Sequence, residues 1–340
     1  MNMRRSIART TLAAALLLAS VLVSVAGTGA AQAKLSGPNG RIVFTALGKH
    51  IPGDCGPAGR ATFTVNPDGS RLQKVVPGDG CFPYPHWSPD GIEISVQAEP
   101  CPTRTFCSVT IVNPDSRTFG DLPVPSPVSD WDLGFACSVW SPDGSRLACL
   151  GSSTIDPGLD GIYTVRSSDG GDVTLVTSIA IENFPGDFSP DGARLVFAHH
   201  DPETDETVLF VVDLGDGGLT QITPAGMVLN PENGGSWSPT GDRIVFEARS
   251  APDQRFSIWT VGSDGQGLQQ VPISGCGGAI SDPASVGCHH PSWSPDGTKI
   301  ALDRLGSICT VNTDGSGLFQ VTRSSNRAEF PDWGPHPLAG

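Results

Sequence analysis

Four histidines stand in two adjacent pairs, His199-His200 and His289-His290, the second directly after Cys288. Imidazole nitrogen and thiolate sulfur are common ligands of divalent transition metals, so these pairs could hold one. Their spacing matches no established metal motif, and dispersed surface histidine is the competing reading. The recurrent Asp-Gly dipeptides offer carboxylates and carbonyls of the kind calcium prefers. None has the spaced carboxylates of a calcium loop, and turn formation accounts for each of them. A divalent metal is thus the only cofactor these residues could serve, and no residue pattern requires it.

Trp131 offers different chemistry. It sits between Asp130 and Asp132, four residues before Phe135, in a Pro-rich stretch. A large aromatic among polar residues is a typical binding anchor, and the alternative is a lid folded over a channel end. Enzyme signatures are absent: the chain has no Gly-x-Ser-x-Gly elbow, His-Glu-x-x-His pair, phosphate-binding Gly-Lys-Ser/Thr loop or dinucleotide fingerprint.

What must position these residues is a repeat. Trp87-Ser-Pro-Asp-Gly91 returns at Trp140–Gly144, Phe188–Gly192, Trp237–Gly241 (with Thr240 for Asp) and Trp293–Gly297, and a worn copy begins at Trp333. Successive anchors are 53, 48, 49, 56 and 40 residues apart, a quasi-period that marks a repeat architecture. Proline presets φ, Asp accepts local backbone hydrogen bonds and Gly supplies φ > 0, so Ser-Pro-Asp-Gly is a hairpin turn. The aromatic before it lies on the incoming strand, where it can bury against the next unit.

Each turn is followed by a β-branched run such as Arg194-Leu-Val-Phe-Ala198 or Arg243-Ile-Val-Phe-Glu247. A third strand such as Ile258-Trp-Thr-Val261 and a fourth such as Leu318-Phe-Gln-Val-Thr322 complete the unit. Arg41-Ile-Val-Phe-Thr45 is a second-type strand with no anchor before it, and Phe330-Pro-Asp-Trp333 is a first-type strand with nothing after it. Pairing the two closes a ring and removes the open edge. The expected fold is all-β: a six-bladed β-propeller of 24 strands, closed by pairing the C-terminal strand with the N-terminal blade.

The Trp-Ser-Pro-Asp-Gly turn, the Arg/Lys-Ile-Val/Ala-Phe strand and the Ile-Tyr-Thr-Val/Asp-Gly pair resemble the WD40-like PD40 repeats of TolB-like propellers, over residues 38 to 337. TolB itself carries an α/β domain before its propeller, whereas only a handful of residues separate Ala33 from the first strand here. The resemblance implies the fold; propellers host unrelated activities. Propeller-bearing peptidases share the repeat pattern but add an α/β-hydrolase domain.

Four antiparallel strands per blade sort the connections onto two faces. Asp-Gly turns populate one, the turn face; long links between strands two and three, and between blades, populate the other, the loop face. Eight of nine cysteines map to the loop face, and the expected bridges are Cys55–Cys81, Cys101–Cys107, Cys137–Cys149 and Cys276–Cys288, with Cys309 left over in a third strand. The histidine pairs and Trp131 map to the same face.

Residues 1–33 read as a secretory signal peptide: Arg4, Arg5 and Arg9, an apolar run from Leu12 to Ala26, then Ala31-Gln32-Ala33. An uncleaved anchor is the alternative, although the run is short for a bilayer span. Residues 34–340 form the propeller. Removing the three arginines leaves 18 basic against 35 acidic residues, a net of −17. That excludes nucleic acid as a natural partner, because phosphate is repelled. The expected protein is secreted or periplasmic, stably inserted in no membrane after cleavage, and monomeric. It is expected to be a non-catalytic binding module whose loop face engages a protein, peptide or glycan ligand of the cell envelope. The enzyme alternative is a metal-assisted lyase or hydrolase at the channel mouth, which would bring a buried constellation of ionisable groups there.

Overall fold

The computed structural model describes residues 38–47, 60–75, 84–97, 109–124, 133–153, 156–178, 183–201, 204–323 and 327–335. Strands are numbered along the chain. Blade 2 contains β4 (His86–Trp87), β5 (Ile94–Gln97), β6 (Val109–Asn113) and β7 (Thr118–Leu122). Blade 3 contains β8 (Leu133–Trp140), β9 (Arg146–Ser153), β10 (Gly161–Arg166) and β11 (Thr174–Thr177). Blade 4 contains β12 (Asn183–Phe188), β13 (Arg194–Asp201), β14 (Glu206–Asp213) and β15 (Leu219–Gln221). In blade 5 the inner strand is split into β16 (Val228–Leu229) and β17 (Ser236–Trp237), followed by β18 (Arg243–Arg249), β19 (Ser257–Gly262) and β20 (Gln269–Gln270). Blade 6 contains β21 (Cys288–Trp293), β22 (Lys299–Arg304), β23 (Ser307–Asn312) and β24 (Phe319–Gln320). The split inner strand raises the expected 24 strands to 25.

Blade 1 joins the two ends of the sequence. Its order is β25 (Arg327–Trp333), β1 (Ile42–Leu47), β2 (Arg60–Val65) and β3 (Gln73–Lys74). Ile42 pairs with Trp333 and Leu47 with Arg327. The Gly40 amide donates to the Gly334 carbonyl at 3.0 Å, and the Trp333 indole donates to the Gly40 carbonyl at 3.1 Å. The six-bladed ring therefore closes as the residues at Ile42 and Trp333 require.

The turns form as their composition dictates. In each full copy the Gly amide donates to the Ser carbonyl, as in Gly144 to Ser141 at 2.8 Å, and Gly sits at φ between 69° and 75°. The serine hydroxyl accepts the amide of the residue that starts the next strand, for example Arg194 on Ser189 at 2.9 Å. It also donates to the turn aspartate, as Ser141 does to Asp143 at 2.6 Å. These carboxylates cap their own turns, which is the structural rather than the calcium role. Neighbouring turns touch around the ring: a Cβ placed on Gly144 would meet the Pro89 ring at 3.6 Å, and one on Gly192 the Pro142 ring at 3.7 Å.

Burial is organised by blade junction. Each of the six junctions has its own apolar cluster, in which core residues of one blade meet those of the next. The anchors Trp87, Trp140, Phe188, Trp237, Trp293 and Trp333 are all buried in this layer. Burying a ring this large removes enough apolar surface to contribute roughly 2–3 kcal/mol, which is why the aromatic recurs. Among the described residues the one helical element is a single 3₁₀ turn, Pro157–Leu159, and no helix is long and apolar enough to cross a membrane.

Hydrogen bonds tie the innermost strands to each other. The side chain just before one anchor accepts the backbone N–H of the next blade's anchor: Asp187 from Trp237 (3.2 Å), Ser236 from Trp293 (3.4 Å), Ser292 from Trp333 (3.2 Å) and Asp332 from Trp87 (2.8 Å). Ser292 also donates to Asp332 at 3.1 Å.

Two expected bridges are present. Cys137 and Cys149 face each other across β8 and β9 with Cα atoms 3.9 Å apart, and Cys276–Cys288 closes the link into blade 6 with Cα atoms 5.6 Å apart. Cys309 is unbridged and buried, and burial pushes its thiol pKa up to about 11. Cys55, Cys81, Cys101 and Cys107 lie outside the described residues.

Asp332→Ala is expected to leave the buried Trp87 amide without its acceptor and to cost about 1–3 kcal/mol. Urea denaturation should read this as a lowered midpoint, with a smaller loss for Asp90→Ala in an exposed turn. Native alkylation followed by peptide mapping should recover Cys137–Cys149 and Cys276–Cys288 as bridged peptides and Cys309 as a thiol labelled only after denaturation.

Candidate functional site

The channel wall is built from the inner strands, and its chemistry comes from an irregularity they share. The inner ladder is interrupted by a bulge at Phe330-Pro331, Ser138, Gly186 and His290-Pro291. Proline has no N–H to give the ladder, so it settles at such a bulge. Pro85, Pro185, Pro291 and Pro331 all line the channel.

The bulge divides the channel into unlike halves. In blades 6, 1 and 2 the residue before the proline is His290, Phe330 or Tyr84, with φ of 49°, 55° and 54°. Bulky residues rarely adopt φ > 0, and the position before proline favours extended backbone. Their rings form one continuous row: the Tyr84 and Phe330 centroids lie 4.6 Å apart edge to face, and those of His290 and Phe330 lie 3.9 Å apart. In blades 4 and 5 the facing positions are Gly186, Gly234 and Gly235. A Cβ on Gly186 would fall 2.1 Å from the Gly234 carbonyl oxygen, so only glycine fits there. One half of the channel is aromatic, and the other carries this glycine backbone beside Asp187, Glu232 and Asn233.

Behind the aromatic row lies a buried charge cluster. Glu247, at the end of the Arg243-Ile-Val-Phe run of β18, accepts the His290 backbone N–H at 2.5 Å and lies 3.4 Å from His289 Nδ1. Asp303, at the matching position of β22, sits 2.5 Å from His290 Nδ1. Burial works against charge on His290, but Glu247, then Asp303 and its hydrogen bond, and Glu329 outweigh it and push the pKa up to about 9. Burial likewise opposes ionisation of Glu247, yet His290 and His289 hold its carboxyl below the usual range. For His289 the burial effect is overcome chiefly by Glu247, and its pKa is raised. His290 is therefore held toward its imidazolium form, with its ring on Asp303 of its own blade and its backbone N–H on Glu247 of blade 5. Its Nε2 and Glu247 Oε1 are buried and find no partner among the described residues. The cluster opens on a loop-face depression shared by blades 5, 6 and 1, where Arg60, Glu232, Arg327 and Glu329 stand.

The residues singled out from sequence are distributed unevenly. His289 and His290 are at this mouth. His199 and His200 are in blade 4: His199 packs against Phe210, with its pKa lowered by burial, and His200 Nδ1 lies 3.1 Å from Thr207 Oγ1. Neither lines the channel or the depression. Among the described residues no three His, Cys, Asp or Glu side chains are grouped so as to hold a metal ion. Phe135 is buried in the junction of blades 2 and 3, edge-on to Tyr163 at 5.1 Å, so its ring serves the core. Trp131, Asp130 and Asp132 lie outside the described residues.

Tyr84, Phe330, Glu247 and Asp303 were not singled out from sequence, although signals exist for each. The aromatic row carries a pattern of ring-Pro-x-Trp at Tyr84–Trp87, His290–Trp293 and Phe330–Trp333. The two carboxylates occupy the fifth position of the second-strand run, where blades 1, 3 and 4 have Thr45, Leu150 and Ala198.

No protein-family profile matches the chain, and no curated protein sequence does. Among solved structures, TolB from Acinetobacter baumannii is similar with a TM-score of 0.65 at 18% identity, over 87% of this chain and 66% of its own. A putative TolB from Agrobacterium tumefaciens is similar with a TM-score of 0.57 at 17% identity, over 89% of this chain and 94% of its own. An oligogalacturonate lyase in complex with manganese reaches 0.52 at 12% identity, over 78% and 71%. At these identities the likeness shows the fold: a TolB-like propeller.

The His290 cluster gives the fold a pH dependence with a definite sign. A folded-state pKa above the ordinary 6.5 means the contribution is fully present below about pH 6.5 and is lost as pH rises through about 9. Thermal midpoints of the wild type should fall across that window, and His290→Gln should flatten that part of the profile.

Proposed function

We propose that this chain is an exported, non-catalytic binding module, monomeric, whose loop face and channel mouth engage a protein, peptide or glycan ligand of the cell envelope. The observation that carries the reading is the aromatic row of Tyr84, Phe330 and His290, held in a strained backbone conformation along an open channel. Strain of this kind persists where the surroundings over-determine it, and it clusters at ligand clamps. The Cys276–Cys288 and Cys137–Cys149 bridges are consistent with an oxidising compartment. The TolB neighbours support an envelope protein with an interaction role. In this reading Trp131, with Asp130 and Asp132, extends the surface from the link into blade 3.

A metal-assisted lyase or hydrolase is the second reading, favoured by the buried Glu247, His290 and Asp303 at the mouth and by the manganese-bound lyase among the neighbours. The electrostatics favour the first. Asp303 engages the His290 ring at Nδ1, and Glu247 is engaged by the His290 backbone N–H and by His289, so the ionisable groups at the mouth are taken up by one another. His199 and His200 do not reach the cluster.

Pull-down from envelope extracts separates the two. Wild type should retain a defined ligand that is lost or weakened in Trp131→Ala and Phe330→Gly and kept in the turn-face variant Asp191→Ala. Identical profiles for all four proteins would overturn the binding reading. So would turnover of an oligogalacturonate by the metal-loaded wild type, lost in Asp303→Asn.

A further inference from the structure

We infer that the outer groove between blades 6 and 1 holds one free fatty acid of medium length, its chain on Phe63 and its carboxylate toward Arg323. The site lies at the rim of the ring and does not rest on the binding-module reading.

The groove exists because this junction lacks a filler that others have. Val124, Met227 and Ile273, each in the link that leads into a blade, pack on the apolar clusters at the entries to blades 3, 5 and 6. The link into blade 1, Thr322-Arg-Ser-Ser-Asn-Arg327, contains no apolar residue. The ring on the third strand differs too. In blade 5 it is Trp259, whose indole donates to the Ala248 carbonyl at 3.1 Å, and in blade 4 His199 packs over Phe210. Blade 1 has the smaller Phe63 and, at the position of His199, Ala46.

What remains is an apolar slot of about 400 Å³ along blade 1. Phe63 stacks on Phe44 as its floor, with ring centroids 5.9 Å apart. Leu72 is its wall: the matching Leu268 and Leu318 pack on their clusters, whereas Leu72 is 59% exposed. Apolar surface left open beside a concavity of this size is the character of a small-molecule site.

Shape and charge name the ligand. The slot follows β1 and β2 from the level of Val65 to that of Ala46, roughly 13 Å at the usual rise of a strand. Its turn-face end is closed, since a Cβ on Gly69 would lie 2.8 Å from the Val321 carbonyl oxygen. Its loop-face end opens beside Arg323, which is exposed and bound to no carboxylate among the described residues. An unbranched chain therefore enters tail first and leaves an anionic head at the guanidinium, which receives carboxylates through paired N–H donors. A sugar or peptide would find few partners. Arg323 is the one charged group of the described lining, and the Thr322 hydroxyl already accepts the Ile308 N–H at 2.9 Å.

The test is isothermal titration calorimetry of the full chain with octanoate, decanoate and dodecanoate, each below its micelle concentration. One site per chain is expected, with affinity rising about fourfold for each added methylene. Decanol should bind about threefold more weakly than decanoate, as an exposed charge pair implies, and Arg323→Gln should erase that difference. Phe63→Trp, which copies blade 5, should fill the slot and weaken decanoate at least about tenfold with the thermal midpoint maintained. Leu72→Ser, at an exposed position, should weaken it less, and decides alone if Phe63→Trp does not fold. Absence of binding by the wild type, affinity unchanged by these two substitutions, or decanol held as tightly as decanoate would overturn the proposal. Loss of envelope ligands in Phe330→Gly bears on the channel mouth alone, so this site and the binding module fail separately.

Discussion

The structure depends on how one inner strand grips the next. A propeller has no central core, so blades could slide along their shared apolar faces at little cost if packing alone held them, because apolar contact is non-directional. At four of the six junctions the anchor N–H, received by Asp187, Ser236, Ser292 or Asp332 of the preceding blade, supplies the missing direction. Being buried, these bonds are costly to leave unmade, and they fix the height of one blade against its neighbour. The Trp333 to Ile42 pairing then carries the register around the closing blade. A channel lined by defined residues exists only because that register is fixed.

The fold was legible because its signals are repeated and local. Ser-Pro-Asp-Gly forms its turn from four adjacent residues, and five near-copies leave little room for another architecture. Ring closure was legible too, since an unpartnered Arg41–Thr45 run and an unpartnered Phe330–Trp333 run are complementary. One cysteine pair followed from strand register, since Cys137 and Cys149 stand opposite once Trp140 is matched with the start of β9, and Cys276–Cys288 followed from the two sharing one link. The candidate site was less legible. His289 and His290 were found as ligand types, but their partners Glu247 and Asp303 belong to second strands of two different blades, and only the assembled junction brings them to this histidine pair. Phe135, attractive as an exposed aromatic near Trp131, is taken by the core because β8 runs longer than the repeat alone indicates and carries it against Tyr163.

The inner bulge explains why a repeat fold can bear an asymmetric site. In blades 1, 3, 4 and 6 the inner strand leaves the ladder near the same level, but the repeat does not dictate which residue stands there. Glycine at that point brings backbones together, as Gly186 against Gly234 shows. A ring followed by proline pushes a side chain toward the axis instead, at the expense of unfavourable backbone at Tyr84, His290 and Phe330. Equivalent positions of the repeat thus became two unlike walls.

The buried charge cluster fits this account as the support of the wall rather than as a separate site. An unpaired carboxylate at Glu247 would be strongly destabilising, and the His290 backbone N–H and the His289 ring meet it on one oxygen while Asp303 takes the His290 ring. The same ring leans on Phe330, placing a cation against an aromatic face, an attraction that strengthens when both are desolvated. Asp303 fixes the ring at Nδ1 while Glu247 fixes the backbone that carries it, and the ring packs against Phe330 in the closing strand itself. Replacing His290 by a neutral residue of similar size would keep the channel's width but release its wall. Pre-organisation at the mouth is therefore coupled to protonation, and a ligand that depends on the aromatic row should feel the loss of that proton even though it never touches a carboxylate.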